Sequence, residues 1–486
     1  MFKFLKPRKP EPTEITPAEP AVIPASVPVA PDPTALISEP ETEANNQPER
    51  SLSINTQDIA QDQVITDALD IPTHGERNTG SEMLKRFLGR QPVLDNGQHI
   101  MGYEFSLRNS IDAPITPTLQ QMRDEMLVAS LIDFDVKPAL GNKLAFIGMA
   151  PAMLSSDWLA MLPARNIVLA VDCTQLTDID ATVVQCQARI EEGFAIALDN
   201  AIDSDELEPL LNLAKFIRFD TRRYNAIALS KQVIAARRLS SARLIAMRVE
   251  TDDDFQACHT MAFNCFQGFY FTQRQPNAPH RIDPNRIRVI ELLNMVTSQA
   301  EIPALETVLK RDAMLSYKLL TFVNSAANGL SRKLESISQV LILLGYNQFY
   351  RWLTLLLFNS GQSDMRDQTL LQNALIRARL TELLGAEQLT AADRDSLFIA
   401  GIFSLLDALL NVPMEQAVAQ LNLSDKLTQA LLLDQGVYAP YLRLAIACEN
   451  GDQHRIDALA ASANLSVDAV NLAHVKALIW AEGFAV

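Results

Sequence analysis

The sequence has few basic residues relative to acidic ones. It contains 42 Lys and Arg against 58 Asp and Glu, which gives a formal net charge of −16. Affinity for a nucleic-acid backbone comes from clustered Lys and Arg, and so does attraction to anionic membranes. This deficit argues against a nucleic-acid partner and against general electrostatic attachment to a membrane.

Paired cysteines and long apolar runs are also missing. The five cysteines include no Cys-x-x-Cys pair and no Cys/His set at zinc spacing, so we expect buried thiols in a reducing compartment. No run approaches the roughly 18 apolar residues that a membrane-spanning helix needs. Pro7 and Pro10 interrupt the first segment before a signal-peptide core can form. These absences predict a cytoplasmic protein without membrane insertion.

Composition and periodicity divide the 486 residues into three parts. Residues 1–80 are rich in Pro, Ala, Glu, Thr and Asn, and this composition predicts a disordered tail. Residues 81–279 alternate short apolar runs such as NIVLAVDC and RLIAMRVE with amphipathic stretches, which predicts a mostly parallel sheet closed into a barrel. Residues 280–486 show three-to-four apolar spacing, which predicts an all-helical domain with breaks at Gly345 and Pro413. The predicted fold class is α/β plus all-α.

Polar side chains stand where the predicted barrel strands end, which is where barrels of this kind keep their chemistry. They are Glu104, Asp199, Asn200, Arg218, Asp220, Glu250 and Gln267. Carboxylates that converge from several strands could hold divalent metal ions for work on a phosphate ester. Taken singly, an acidic residue at the end of a strand is more often a helix cap or a solvated loop group than a metal ligand.

The order of these segments resembles the EAL domain, the cyclic di-GMP phosphodiesterase barrel. Gln91-Pro92-Val93 is followed by GYEFSLR, ALDN, IRFD, AMRVET and FQGFYF, over about residues 83 to 276. The family pattern runs QPI, E(A/V)LxR, a strand-end Asn, an ELTE-like strand, DDFGTGYS, KID, AEGVET and QG. The interval from Met247 to Gln267 keeps the family's spacing. The resemblance implies a (β/α)8-like barrel.

The resemblance also implies that the metal site of this barrel is degenerate. Glu104 and Asp199 match a metal-binding glutamate and the first aspartate of DDFG. The other positions read Gly148, Ala170, Asn200, Arg218 and Met247, with Arg218 replacing the lysine that orients water. Glycine, alanine and methionine side chains offer hard cations little. We therefore predict no catalytic residue, no bound metal and no cofactor.

Binding without turnover is the alternative for the barrel. The positions that hold or surround the dinucleotide in the family are matched by Gln91, Glu104, Arg108, Asp199, Glu250 and Gln267. Arg108 could still pair with a phosphate. Retention of these residues for barrel packing is the simpler interpretation, because loss of the metals and the lysine leaves the phosphates poorly neutralised.

The helical part resembles the HDOD domain, over about residues 284 to 480. The matching features are Asp312 to Leu315, Asn324-Ser325, Ser336-Ile337 and Leu344-Gly345. HDOD domains lack the metal-binding His-Asp pair of the HD phosphohydrolases. Here Ser404-Leu405 stands in the place of that pair, and none of the six histidines is followed by Asp.

Together the two resemblances predict a non-catalytic bacterial signalling adaptor with a protein partner. A cyclic di-GMP sensor without turnover is the first alternative, with weak binding of that dinucleotide. An active cyclic di-GMP phosphodiesterase is the second.

Overall fold

A computed structural model describes residues 87–108, 116–133, 137–201, 205–275, 283–324, 334, 336–359 and 365–483. The tail predicted for residues 1–80 lies outside the described residues, and so does the predicted domain boundary at residues 279–280.

Eight strands form the closed barrel that the sequence predicts. They are β1 (Phe87–Asp95), β2 (Ile100–Arg108), β3 (Leu144–Met149), β4 (Ile167–Asp172), β5 (Ala195–Asp199), β6 (Phe216–Asp220), β7 (Arg243–Met247) and β8 (Cys265–Gln267). Neighbours from β2 to β8 pair in parallel, whereas β1 is antiparallel to both β2 and β8. Strand β1 contains Gly89 and Pro92, which interrupt the strand signal, and the sequence identified this segment only by its Gln-Pro motif.

In the described part of the barrel region, six α-helices accompany the strands: α1 (Pro117–Asp133), α2 (Lys137–Leu140), α3 (Ile179–Glu191), α4 (Glu208–Leu213), α5 (Ala226–Leu239) and α6 (Asp252–Thr260). Side-chain caps fix where several of them begin. Asp178 accepts from the third residue of α3, and Asn225 does the same for α5. Thr251 and Asp254 form a reciprocal capping box at α6.

A small apolar cluster fills the barrel interior. Its members are Val93, Phe146, Val168, Ala170, Ala197, Phe216, Ile245 and Cys265. Phe146 and Phe216 meet edge to face, with ring centroids 5.2 Å apart. Because side chains alternate along a strand, the residues two positions further toward the mouth point inward above this cluster.

Among the described residues, twelve α-helices form the second domain. They are α7 (Pro284–Thr297), α8 (Ile302–Lys310), α9 (Ala313–Val323), α10 (Ile337–Phe358), α11 (Met365–Leu384), α12 (Ala391–Phe403), α13 (Leu406–Leu410), α14 (Met414–Val418), α15 (Asp425–Leu432), α16 (Ala439–Asn450), α17 (Gln453–Ser462) and α18 (Val467–Glu482). The breaks expected at Gly345 and Pro413 are both present. Gly345 has φ +67° inside α10, and Pro413 immediately precedes α14.

The motif residues of the helical domain have structural roles. Asp312 caps α9 through the amides of Met314 and Leu315, both at 3.0 Å. The Asn324 side chain exchanges two hydrogen bonds with the backbone of Leu334, each 2.7 Å long. These contacts fix the turns between helices of the domain. The HDOD motif residues Asp312 and Asn324 are therefore accounted for by structural roles, without a catalytic one.

The helical domain covers the outer face of β1 and β2, which a turn connects without an intervening helix. Helices α16 and α18 contact β1. The outward side chains Leu88, Tyr103 and Phe105 are buried in the same apolar cluster as the core of the helical domain. Across this contact the Leu88 amide donates to Asn471 Oδ1 at 3.0 Å, and Gln372 Nε2 donates to the Tyr103 hydroxyl at 3.1 Å. The barrel and the helical domain therefore share one core.

Helix α10 departs from the expectation that no segment is long and apolar enough to cross a membrane. By length and composition this helix passes that test, alone among the described helices. Half of its most apolar window is buried inside the protein.

Candidate functional site

The mouth of the barrel gathers most of the side chains that the sequence singles out. By the alternation of the strands, a ring of inward positions lies above the interior cluster. The ring consists of Gln91, Glu104, Gly148, Asp199, Arg218, Met247 and Gln267. Ala170, which pairs with Gly148 across β3 and β4, is fully buried in the interior cluster. Two positions further along β4, Asp172 pairs in register with Asp199, and its carboxylate accepts from Thr174 and Gln175.

Arg218 is the centre of this ring. Its Nε and Nη2 donate to the two carboxylate oxygens of Asp199, both at 2.6 Å. Its Nη1 lies 3.2 Å from Oε1 of Glu104. Only 1% of the residue is exposed. Burial alone would lower the pKa of Arg218, but the Asp199 and Glu104 carboxylates outweigh burial and raise that pKa above its ordinary value.

Gly148 provides the room for this guanidinium. A Cβ at position 148 would stand 3.6 Å from Nη2 of Arg218 and 3.9 Å from Oε1 of Glu104. These are ordinary contact distances, so the atoms of a longer side chain would compete with the guanidinium for space. The small residue and the large arginine are therefore complementary.

Gln267, Gln91 and Glu104 bond to one another. Nε2 of Gln267 donates to Oε1 of Gln91 at 2.8 Å and also to Oε2 of Glu104. Gln267 is 3% exposed. Three of the positions that the resemblance assigns to ligand binding thus form an internal network, as the packing interpretation expects.

The remaining predicted positions differ in their placement. Asn200 is buried with φ +52°. Its backbone N–H donates to the backbone carbonyl of Arg218 at 3.0 Å. The Met247 carbonyl accepts from Thr221 Oγ1 at 3.0 Å. Glu250 lies outside the ring with its side chain 54% exposed, and it pairs with Arg222. The side chain of Arg108 lies outside the described part of the chain.

The residues at the mouth do not fit the pair of divalent metal ions that the EAL resemblance implies. Such a pair needs several anionic oxygens to offset the repulsion between the ions. Glu104 and Asp199 are both already paired with Arg218, which offsets one of their two negative charges. Across the described residues, no three His, Cys, Asp or Glu side chains come together as metal ligands.

The helical domain contains a second buried arginine–carboxylate centre, which the sequence did not reveal. Arg377 donates to both oxygens of Glu449 at 2.8 to 3.0 Å. Its Nη1 donates to Ser404 Oγ at 2.7 Å, and Asn373 donates to Glu449 at 2.9 Å. Ser404 is the residue that stands in the place of the His-Asp pair of HD phosphohydrolases. The sequence gives little signal for this centre, because α11 also contains Arg366 and Arg379 and several other polar residues.

Comparison with known proteins supports the two-domain arrangement. The HDOD domain family model matches residues 284–433. The cyclic di-GMP phosphodiesterase CdgJ of Vibrio cholerae is 26% identical over 409 residues, which is 82% of this chain and 93% of that protein. The uncharacterized protein YuxH of Bacillus subtilis is 27% identical over 381 residues, which is 76% of this chain and 92% of that protein.

Solved structures resemble part of the chain at low identity. A PaMucR phosphodiesterase in complex with c-di-GMP aligns with TM-score 0.33 and 20% identity, over 38% of this chain and 95% of that one. The Bacillus subtilis YkuI protein, which has an EAL domain, aligns with TM-score 0.33 and 15% identity, over 49% of this chain and 73% of that one. The family match, the relatives and the closed barrel agree with the motifs: residues 284–433 match the HDOD domain, and the chain is related to a protein that is named a cyclic di-GMP phosphodiesterase.

Proposed function

We propose that this protein is a non-catalytic signalling adaptor of the bacterial cytoplasm, which acts by binding a protein partner. The observation that carries the proposal is the Arg218 guanidinium between the carboxylates of Asp199 and Glu104. A guanidinium holds a permanent positive charge, but it has no vacant coordination position and cannot activate a bound water. The guanidinium thus offsets part of the negative charge at the mouth, as a metal ion would, but it supplies no Lewis acid.

A metal ion would have to displace this arginine to bind. Arg218 and Asp199 are both largely buried, with side chains 2% and 13% exposed. Breaking one buried ion pair by removing a partner costs about 3–5 kcal/mol. The incoming ion must also lose part of its water shell, which Mg²⁺ does reluctantly. Gly148, Ala170 and Met247 supply no anionic oxygen to offset these costs.

The surface of the helical domain supports an adaptor role. Several large apolar side chains of this domain are exposed, namely Ile287, Met314, Tyr317, Ile342 and Leu343. These side chains lie on α7, α9 and α10, and large apolar side chains left in water are candidates for contact with a protein partner. The buried arginine–carboxylate centre of the helical domain, formed by Arg377, Glu449 and Ser404, is occupied by internal hydrogen bonds. It has no nucleophile held beside a base.

The test is an assay of cyclic di-GMP hydrolysis by purified full-length protein with Mg²⁺ or Mn²⁺. CdgJ, which is named a cyclic di-GMP phosphodiesterase, provides the positive control. We expect no linear product above the buffer rate. Linear product formed in proportion to protein concentration, and abolished by Glu104→Ala, would show that the barrel is an enzyme.

Cyclic di-GMP binding without turnover is the second candidate function. It is favoured by a cavity of about 650 Å³ that Gln91 and Glu250 line, because both are positions where the resemblance expects the dinucleotide. Calorimetry with cyclic di-GMP, with and without Mg²⁺, separates this candidate from a purely protein-binding adaptor. Binding heat that is independent of Mg²⁺ supports the sensor, and absence of heat supports the adaptor alone.

A further inference from the structure

Helix α5 of the barrel presents alternating apolar and basic side chains to solvent. These side chains, the α5 stripe, belong to Ile227, Lys231, Ile234 and Arg238, which follow one another at steps of four, three and four residues. At 3.6 residues per turn, such steps keep all four side chains on one side of the helix. The buried residues of α5 lie on the opposite side, namely Leu229, Val233 and Ala236. The stripe therefore faces away from the barrel.

Both isoleucines of the α5 stripe are in water. Ile227 is 73% exposed, the highest value of any large apolar side chain among the described residues, and Ile234 is 51% exposed. Lys231 and Arg238 are exposed as well, and neither forms a salt bridge with another described residue. One exposed apolar residue is ordinary, but two that share a helix face with two cations form a continuous surface.

The surroundings of the stripe are basic although the chain is acidic. Residues 221–249 contain seven Arg and Lys and no Asp or Glu, whereas the whole chain has a net charge of −16. Cations near the barrel mouth have carboxylate partners, such as Arg222 with Glu250. Those of the α5 stripe lie on the helix itself and keep their positive charge available to another molecule.

The helix dipole explains only part of this pattern. Cations in the last turn of a helix interact favourably with its C-terminal carbonyl groups, which accounts for Arg237 and Arg238. The dipole does not account for Lys231 in the middle of α5, nor for the two exposed isoleucines. Apolar and charged side chains at alternating three- and four-residue steps are typical of a helix that packs against another helix.

The charge of the α5 stripe selects among the molecules that fit it. In a symmetric dimer the same face of two copies meets, so the cations of both copies would come together without a carboxylate beside them. A nucleic-acid backbone would match the cations but leave Ile227 and Ile234 in water. An anionic bilayer would repel the acidic remainder of the chain. An acidic amphipathic helix satisfies both the cations and the isoleucines.

We propose that the α5 stripe binds an amphipathic helix of a partner protein, in which carboxylates face Lys231 and Arg238 and apolar side chains cover Ile227 and Ile234. The proposal rests on the adaptor function proposed above. It adds the surface of the barrel that is used and the chemistry of the partner that this surface accepts.

The test measures binding of full-length protein to synthetic helical peptides by fluorescence anisotropy at low salt. The probe alternates Leu and Glu at three- and four-residue steps, and a second peptide carries Lys in place of Glu. We expect the acidic peptide to bind about tenfold more tightly than the basic one, although the net charge of the chain by itself favours the basic peptide.

Lys231→Glu with Arg238→Glu should reverse this preference, because the stripe then carries carboxylates. The matched control is Arg311→Glu with Arg455→Glu, which changes the net charge equally at exposed positions of the helical domain and should leave the preference unchanged. Acidic-peptide binding that is absent, or that is indifferent to charge reversal on α5, would overturn the proposal.

Ile227→Ser with Ile234→Ser tests the apolar part of the stripe and should weaken binding of the acidic peptide by about tenfold. Both changes are on the exposed face of α5, so the circular dichroism should stay native. Double-stranded DNA and phosphatidylglycerol vesicles are measured beside the peptides. Preferential binding of either one, unaffected by loss of the isoleucines, would assign the stripe to a polyanion and overturn the proposal.

Sedimentation of the same proteins tests for a second copy of the chain. A wild-type dimer that the double serine variant dissociates would make a second copy the occupant of the stripe and would overturn the proposal. We expect the same sedimentation for both proteins. None of these measurements involves hydrolysis of cyclic di-GMP, so failure of this surface is distinguishable from failure of the non-catalytic function.

Discussion

The barrel and the helical domain each bury an arginine–carboxylate centre, but the two centres differ in what surrounds the arginine. Arg218 faces two carboxylates, Asp199 and Glu104, that come from separate strands. Arg377 faces one carboxylate, Glu449, and its Nη1 donates a further hydrogen bond to Ser404. Removal of Arg218 would leave two neighbouring acids, whereas removal of Arg377 would leave one acid and an amide. The barrel centre thus retains half of a cation site, and the helical centre retains none.

The two centres also differ in what surrounds them. In the barrel, Arg218 lies between the carboxylates of Glu104 and Asp199, and Gly148 leaves room for it. In the helical domain, hydrogen bonds connect α11, α16 and the end of α12 around Arg377. Replacing Arg218 would leave Glu104 and Asp199 as two unpaired acids at the barrel mouth. The Arg377–Glu449 pair, by contrast, serves to hold helices together.

Arg377→Ala should produce the largest loss of stability. The change leaves Glu449 buried with only Asn373 beside it, and breaking such a buried pair costs about 3–5 kcal/mol. Urea unfolding followed by circular dichroism measures the loss, with Arg311→Ala as an exposed control in the same domain. The double variant Arg377→Met with Glu449→Leu should recover much of it. If the unfolding free energy of Arg377→Ala lay within about 1 kcal/mol of wild type, the Arg377–Glu449 pair would not be important for stability.

Arg218→Ala should lose somewhat less stability, about 2–4 kcal/mol, because water at the mouth can reach the freed carboxylates. Mn²⁺ should then raise the melting temperature of this variant but not that of wild type or of Arg377→Ala. A ligand at 100 times its Kd adds about 2.7 kcal/mol. Differential scanning fluorimetry across a Mn²⁺ series gives the comparison. Equal shifts in all three proteins would mean that Glu104 and Asp199 form no cation site.

The sequence predicted the strands of the barrel better than it predicted the site. Strands β2 to β8 were recognisable because each is a short apolar run, and β1 was not, because Gly89, Arg90 and Pro92 break its pattern. Arg90 is tolerated in this strand because it lies 4.0 Å over the ring of Tyr103 at the contact with the helical domain. A tertiary contact of this kind leaves no periodic trace in the sequence.

The predicted site residues came together only in part. Glu104, Asp199, Arg218 and Gln267 meet at the mouth, since strand ends of a barrel share one edge. Glu250 lies outside the ring, because the chain turns away after Met247. The sequence identified Arg218 as a replacement for the family's lysine. It did not predict that Arg218 contacts two carboxylates, because those contacts depend on how the side chains are oriented in the folded barrel.

The contact between the two regions should weaken in acid because of His474. Burial lowers the pKa of His474 to about 3, and nearby Arg90 lowers it further. The unfolded chain binds a proton near pH 6.5 while the folded chain does not, so this contribution to stability is present above that pH and is lost as pH falls toward 3. The loss is about 1.4 kcal/mol per pH unit. Unfolding free energies of wild type and His474→Gln between pH 5.5 and 4.5 should diverge by about this slope, and parallel curves would contradict it.

Glu250→Ala should cause the smallest loss of stability. Comparing it with Arg218→Ala tests whether burial of the ion pair is what makes the larger losses large. The Arg222–Glu250 pair belongs to the same barrel mouth as Arg218–Asp199 but has side chains 53% and 54% exposed. Exposed pairs contribute about 0–1 kcal/mol because water and salt screen them, so we expect a change within about 0.5 kcal/mol. A double-mutant cycle on Arg222 and Glu250, measured by urea unfolding at low and at 0.5 M NaCl, gives the coupling directly. A coupling as large as the loss in Arg218→Ala, unaffected by salt, would mean that the charges at the mouth act as one network and that depth in the barrel is not what distinguishes them.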